Sequence, residues 1–492
     1  MRFKPTLEEA KSIADSHSYE NIPLTCEIYS DIRTPIEVLR ILKNVSHNCY
    51  MLESAERDET WGRYTFLGFD PKLELNAVGD KVTIKAGSTM VFEHAKPEEH
   101  IRRIIAEHKS PRLEGLPPFT GGLVGYFSYD YIQYSEPGLK LDARDTEHFK
   151  DVDLMLFDKV IAFDNYKQKI ILIVNIKTAD LQTEYNRGMM ELEQLKTLIQ
   201  KGTPQPGIPG KMTSDIRTLF TREEYCHMVE TAKKHIFEGD IFQVVLSNRL
   251  DADFEGSLLD TYRVLRTTNP SPYMFYFSSD DMEMAGASPE TLVKLENKTL
   301  HTFPLAGTRP RGKDAKEDER LEQELLADEK ECAEHNMLVD LGRNDIGKLS
   351  KFGTVRVEKY MEIERFSHVM HIGSTVCGEI QDDKDACDAI GSVLPAGTLS
   401  GAPKIRACEI INKLENNKRG VYGGAIGYMD FTGNMDTCIA IRLAYKKNGK
   451  VMVRSGAGIV ADSVPETEYQ ECINKAKAVV RALEIAQEGE EL

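Results

Sequence analysis

The chain has 492 residues, 41% of them hydrophobic, and a formal net charge of −17. These values describe a folded globular protein of roughly two to four domains. With no Lys/Arg block they argue against nucleic acid as the main partner, and an anionic small substrate would need a local positive site. The start, MRFKPTLEEAKSIADS, is too polar for a signal peptide, and no apolar run approaches a membrane span. The nine scattered cysteines form no C-x-x-C. That disfavours structural zinc and a disulfide framework, and it fits a reducing cytoplasm.

The first half mixes a helix over 35–44 with short strands such as WGRYTFLGF, KLELNAV and KVTIKA. Two long β-rich runs follow, LPPFTGGLVGYFSYDY and DLMLFDKVIAFDNYKQKIILIVNI, and then a helical pattern from Leu181 to Gln200. The Pro/Gly-rich stretch KGTPQPGIPGKMTSD then interrupts the pattern. We expect an N-terminal α+β region over 1–200, a linker over 201–216 and a second domain over 217–492. The alternative is that the two halves interleave into one sandwich. Past the linker, Thr221 and Glu224 form a capping box for a helix near 223–238. Further helices are expected near 317–341, 383–392, 402–416 and 466–487. Between them lie strands such as IFQVVLSNRLDA, YMFYFSS, GGAIGYMDF and DTCIAIRLAYKKN. Turns at Glu296-Asn297-Lys298 and Lys447-Asn448-Gly449 read as hairpins. The strands do not alternate regularly with helices. The expected fold class is therefore α+β, with mainly antiparallel sheets flanked by helices.

Two of the expected helices carry glutamates three residues apart, Glu331 with Glu334 and Glu468 with Glu471. Such pairs share a helix face. Glu334 also stands above the apolar stripe of Leu338 and Leu341, where a charge is seldom left unpaired. A cation shared by the two helices would resolve this, and four carboxylates suit a hard ion such as Mg²⁺. Solvated helix faces are the plainer alternative. Ser463 with Glu466 reads as a second capping box, with Pro465 in the first turn. Just before it, Gly456 and Gly458 let backbone N–H groups approach an anion, although a simple glycine turn has the same pattern. No Walker A motif appears and no G-x-G-x-x-G opens a helix after a strand, so nucleotide binding is not read. Arg442, among Ile439, Ile441 and Leu443, reads as buried and in need of an anionic partner. On residues alone, Lys475 is an i,i+4 partner of Glu471 and His371 a core histidine.

Taken together, the tracts IFQVVLSNR, GASPETLVK, PLAGTRPRG, DEKECAEHNMLVDLGRND, VLPAGTLSGAPK, GGAIGYMDFTGNMDTCIAIR and SGAGIVADSVPETEYQE resemble the chorismate-utilising enzymes, in order and along nearly the whole second half. Within that family the resemblance is to the anthranilate synthase large subunits. Gln243 stands where isochorismate and salicylate synthases have a lysine base, and glutamine is no base, which suits ammonia as nucleophile. Ala306 stands where aminodeoxychorismate synthases have a lysine nucleophile. Leu52-Glu53-Ser54 and Asn269-Pro270-Ser271-Pro272-Tyr273-Met274 resemble the two halves of a tryptophan feedback site.

The resemblance implies roles residue by residue. Glu334 and Glu471 would hold Mg²⁺, with Glu331 and Glu468 behind them. Glu290 would protonate the departing 4-hydroxyl of chorismate, with His371 near the departing group. Tyr422, Arg442 and the amides of Gly456, Ala457 and Gly458 would grip the enolpyruvyl carboxylate. Gly307 and Thr308 would line the ring side, Thr398 would contact substrate, and Lys475 would balance the carboxylates. Glu53, Ser54, Pro272, Tyr273 and Met274 would hold L-tryptophan. No Gly-x-Cys-x-Gly nucleophile turn is present, so a separate glutamine amidotransferase subunit would supply ammonia in a hetero-oligomer. The rival readings are an aminodeoxychorismate synthase and a catalytically idle amino-acid sensor on the same scaffold.

Overall fold

The computed structural model describes residues 2–16, 18–55, 62–204, 207–365 and 369–489. Two large sheets organise them. The first runs, edge to edge, through Phe3–Lys4, Asn21–Tyr29, Lys169–Lys177, Lys159–Asp164, Tyr64–Phe69 and Cys49–Glu53. It continues through Tyr273–Ser278, Glu283–Ser288, Leu443–Lys447, Lys450–Ile459, Gln243–Glu255 and Lys211–Met212. The second contains Leu305–Pro310, Val369–Glu379, Thr299–Thr302, Thr291–Glu296, Met435–Ile439 and Ala425–Asp430. It continues into the N-terminal half through Gly122–Phe127, Val152–Phe157 and Leu73–Val78. The ladders are antiparallel, as expected.

Both sheets therefore run across the two halves of the chain. In the first sheet, Cys49–Glu53 pairs with Tyr273–Ser278, with Glu53 directly opposite Met274. In the second, Gly122–Phe127 pairs with Ala425–Asp430. The expected linker contains the strand Lys211–Met212 and is followed by Arg217–Thr218, and both pair with the long strand Gln243–Glu255. The halves interleave.

Several strands are buried along their whole length, such as Val152–Phe157, because one face meets the other sheet and the opposite face meets helices. Between the sheets lies an aromatic core, with Tyr50, Phe66 and Phe275 from one sheet and Tyr126, Phe157 and Tyr428 from the other. Each buried ring contributes about 1.5–3 kcal/mol relative to exposure. Helices Pro35–Lys43, Leu181–Lys201, Leu259–Thr268 and Pro465–Glu488 cover the outside of the first sheet. Helices Pro97–Ala106, Glu329–Gly347 and Ala386–Val393 cover the second. Among the described residues no helix is long and apolar enough to cross a membrane.

Local chemistry explains where the structure agrees with the sequence reading and where it departs. Thr221 and Glu224 form the expected reciprocal cap. The expected helix 317–341 is two helices, Ala315–Leu326 and Glu329–Gly347. Asp328 separates them by accepting the N–H groups of Lys330 and Glu331, since a short carboxylate competes for backbone donors and starts a new helix. Ser463 does not cap the last helix. Its hydroxyl accepts from Val460 N instead, and Val464 takes the cap position ahead of Pro465. The tract DTCIAIRLAY is two strands in different sheets, Met435–Ile439 and Leu443–Lys447. The chain crosses between sheets at 440–442, and Arg442 adopts φ 51° there, a left-handed conformation that non-glycine residues seldom take. The two-residue hairpins carry positive φ at Asn297, Lys298, Asn448 and Gly449, which matches the twist of the flanking strands.

Candidate active site

A cavity of about 840 Å³ opens beside this crossing. Gln243 enters it from the first sheet, and Glu290 from the link between Glu283–Ser288 and Thr291–Glu296. Gly307 and Thr308 line it from Leu305–Pro310, His371 from Val369–Glu379, and Thr398 from the single turn Gly397–Leu399. Tyr422, Arg442, Gly456 and Gly458 add a further wall. Glu334, Glu468, Glu471 and Lys475 reach it from two helices. Two of the expected residues do not line it. Ala457 alternates away from Gly456 and Gly458, with its methyl fully buried beneath the strand. Glu331 turns toward Arg309, with Nη1 3.7 Å from its carboxylate.

Glu290 is held from both ends. Its backbone oxygen accepts from Ile439 N at 2.9 Å, and its Oε1 accepts from the Thr398 hydroxyl at 3.0 Å. Burial pushes its carboxyl up to about 7; Thr398, Arg442 and Lys475 oppose that rise. A carboxyl that keeps its proton near neutrality is a proton donor. Burial pulls the Arg442 guanidinium down, with the nearby Glu290 opposing. No carboxylate among the described residues lies within salt-bridge distance of it. This cation, solvent-accessible through the cavity it lines, is therefore a ready receptor for an anion. Burial also lowers His371. Its Nδ1 lies 2.8 Å from the Gly307 carbonyl. A carbonyl only accepts, so Nδ1 carries the proton and Nε2 is the basic nitrogen.

The glycines have steric reasons. A Cβ at Gly456 would stand 2.7 Å from the Leu246 carbonyl and 3.0 Å from the Tyr422 hydroxyl, and one at Gly458 would stand 2.6 Å from the Gln243 amide nitrogen. Side chains there would displace Tyr422 and Gln243 from the cavity wall.

The acidic face has the charge to attract a divalent cation, although Glu334, Glu468 and Glu471 do not bring three ligand atoms within 4.8 Å of one another. Glu334 is raised by burial and by Glu331 and Glu471, and Glu468 by burial and Glu471. These carboxylates destabilise one another's charge, and a cation would relieve that. Lys475 partly does so already, with Nζ 2.7 Å from Glu471 Oε1 and 3.2 Å from the Gly456 carbonyl. Among the described residues only His235, Glu238 and Asp240 bring three such ligand atoms within 4.8 Å of one another. Asp240 is already tied to His235 and Arg406.

Sequence reading missed Arg454, which lines the cavity although only 1% exposed. An arginine within KVMVRSGAG was the available signal.

A second, smaller cavity of about 130 Å³ contains all five expected feedback residues, Glu53, Ser54, Pro272, Tyr273 and Met274. Tyr64, Phe66 and Tyr428 give it aromatic walls. The Glu53 carboxylate accepts from Tyr262 at 2.6 Å and pairs with Arg266. The Tyr273 hydroxyl donates to Asp436 at 2.8 Å and accepts from Thr291 at 2.9 Å. Lys294 and Asp436 also line this pocket and were not anticipated.

Residues 47–481 match the family model described as chorismate binding enzyme. The chain belongs to the chorismate-binding enzymes. Among curated members, anthranilate synthase component 1 of Acetivibrio thermocellus is 46% identical, over 99% of each chain. The protein of the same name from Aquifex aeolicus (strain VF5) is 45% identical, over 100% of each. Among solved structures of the family, anthranilate synthase component I from Streptococcus pneumoniae TIGR4 superposes with a TM-score of 0.75. It is 37% identical and covers 92% of this chain and 99% of its own. The menaquinone-specific isochorismate synthase of Escherichia coli shares the fold at a TM-score of 0.71 and 20% identity.

Proposed function

We propose that the protein converts chorismate and ammonia to anthranilate and pyruvate. The observation that carries this reading is one cavity that unites a protonated acid, an unmatched guanidinium and an acidic face, while positions 243 and 306 hold glutamine and alanine. Gln243 cannot activate water as a base, and Ala306 cannot form a covalent adduct, so an external amine is left as the nucleophile. Full-length relatives named anthranilate synthase component 1 agree with it.

In this reading Glu290 delivers its proton to the 4-hydroxyl, which leaves as water while ammonia adds at C2 and the ring double bonds shift. The ammonium so formed loses a proton, giving 2-amino-2-deoxyisochorismate. His371 Nε2 is suited to take the C2 proton as the C3–O bond breaks and the ring aromatises; the enolpyruvate released takes up a proton at its methylene carbon to become pyruvate. Arg442, Tyr422 and the amides around Gly456 and Gly458 hold the enolpyruvyl carboxylate. Glu334 and Glu471 would hold Mg²⁺, with Glu468 and Glu331 behind them. When bound there, the ion supplies an electrophilic clamp for the ring carboxylate.

Ammonia would come from glutamine through a component II amidotransferase subunit in a hetero-oligomer, and the chain would work in the cytoplasm. L-Tryptophan would occupy the smaller pocket, with its indole among Tyr64, Phe66, Tyr428 and Met274 and its charged end near Glu53 and Ser54. The test is turnover of chorismate by the purified chain with Mg²⁺ and ammonium. Anthranilate that is lost with EDTA and reduced by tryptophan supports the reading, as does glutamine use only when the second subunit is added. A 4-amino product or isochorismate would contradict it.

A further inference from the structure

Behind the cavity lies a charged cluster that the mechanism leaves without a role. Glu415 and Arg419 are each 2% exposed and Arg454 is 1% exposed. Burying three charges is unfavourable unless each is paired and hydrogen-bonded. Here they are. Glu415 Oε1 accepts from Ser247 N at 2.7 Å and from Arg419 Nη2 at 2.6 Å. Its Oε2 accepts from Arg419 Nε at 2.9 Å and from Arg454 Nη2 at 2.8 Å. Such a cluster is often no more stabilising than packed apolar residues, so its distinctive contribution is geometry.

Arg419 shows what that geometry serves. It does not line the cavity, yet its Nη1 donates to the Leu399 carbonyl at 2.6 Å and its Nη2 to the Val245 carbonyl at 2.8 Å. Leu399 closes the turn whose middle residue, Thr398, donates to Glu290. Val245 is two residues from Gln243 on the same strand. The guanidinium also lies over the Tyr129 ring, 4.6 Å from its centroid, and 5.8 Å from that of Tyr422. One rigid five-donor fork therefore ties together three pieces of the cavity wall.

We propose that Arg419, oriented by Glu415, is a positioning residue for the acid step, fixing the Gly397–Leu399 turn so that Thr398 stays on Glu290. The role in catalysis rests on the function proposed above; the effect on the Glu290 carboxyl does not. Arg419→Lys keeps the charge opposite Glu415, but a single ammonium cannot hold Glu415, Leu399 and Val245 together. Thr398 then drifts from the carboxylate, the ionised form of Glu290 loses a donor, and its titration moves to higher pH.

The experiment is a pH titration of the Glu290 carboxyl in the intact, substrate-free protein. The signal is the infrared carboxyl band that Glu290→Gln removes, and the pH profile of kcat is measured in parallel. Arg419→Lys is expected to raise the midpoint by about half a pH unit or more and to lower kcat about tenfold with a smaller change in KM. Thr398→Val is expected to give the same displacement, and the double variant no further one, because both act through one hydrogen bond. Arg419→Lys with a lower melting temperature but an unmoved titration would overturn the proposal, as would displacements that add in the double variant. If Arg419→Lys does not fold, Tyr129→Leu leaves the fork in place and removes the stacked ring, with its hydroxyl bond to Cys408 Sγ, and should move the midpoint in the same direction by less; an unmoved midpoint there also counts against the proposal. If the wild type makes no anthranilate, the functional reading fails and the infrared titration still decides the positioning role.

Discussion

The two cavities contain similar groups and arrange them in opposite ways. In the larger one, Arg442 has no carboxylate partner among the described residues, burial raises the Glu290 carboxyl to about 7, and Glu334 and Glu468 are each repelled by Glu471. In the smaller one, Glu53 is paired with Arg266 and Tyr262, and Tyr273 with Asp436 and Thr291. The first is an incomplete electrostatic set, which the proposed substrate and cation would complete. The second is a matched set around aromatic walls, better suited to recognising a shape than to changing a bond. The two are nevertheless joined by sequence, since Thr291, which donates to Tyr273, follows Glu290.

The sharpest way to break this contrast is Glu290→Gln. It should lower kcat about 10²–10⁴-fold, as expected for loss of a general acid. Tryptophan affinity, read by calorimetry, should persist; parallel loss of both would mean that the cavities are one functional unit. Next in size, Arg442→Met removes the guanidinium proposed to meet the substrate carboxylate. KM for chorismate should rise about 10–100-fold, the scale of a charged hydrogen bond, and an unchanged KM would place the carboxylate elsewhere. Glu334→Gln should weaken Mg²⁺ about tenfold or more, measured by calorimetry on the substrate-free protein. If the affinity holds, the crowded carboxylates are not the metal site. The smallest effect belongs to the second pocket. Tyr64→Ala should raise the tryptophan concentration needed for half-inhibition about 3–10-fold, the worth of one aromatic contact.

The sequence reading reached the chemistry more readily than the geometry. The Glu468–Glu471 pair was legible because helical periodicity alone places it on one face, and both reach the cavity; the same rule failed for Glu331, which Arg309 draws away from Glu334. Arg442 was expected to be buried because apolar neighbours surround it, but the crossing between sheets turns it out into the cavity, where it is exposed; its need for an anionic partner was the legible part. What escaped depends on chain crossings. Nothing local distinguishes DTCIAIRLAY, one apolar run, from two strands in different sheets with Arg442 at the crossing. The Asp328 break was obscured because the run on either side has strong helix formers. Val464 displaced Ser463 as cap because the Ser463 hydroxyl is engaged by the preceding turn. The Glu415–Arg419–Arg454 cluster links residues up to 39 apart in sequence and leaves no short motif. Both sheets crossing from one half to the other likewise follows from long-range pairing that the Pro/Gly-rich stretch gave no sign of.

The central claim is that Glu290 works as a protonated acid in a chorismate-aminating site. Its most direct test is the rate and identity of product formed from chorismate with saturating Mg²⁺ across pH, extrapolated at each pH to saturating free ammonia so that the amine's own titration drops out. The group must be protonated to act, and its folded pKa is raised to about 7. The account therefore predicts anthranilate as the product, with kcat sustained below pH 7 and falling as pH rises through it, and with that fall absent from the residual activity of Glu290→Gln. Anthranilate formation that is flat through this range, or a product other than anthranilate, would contradict it.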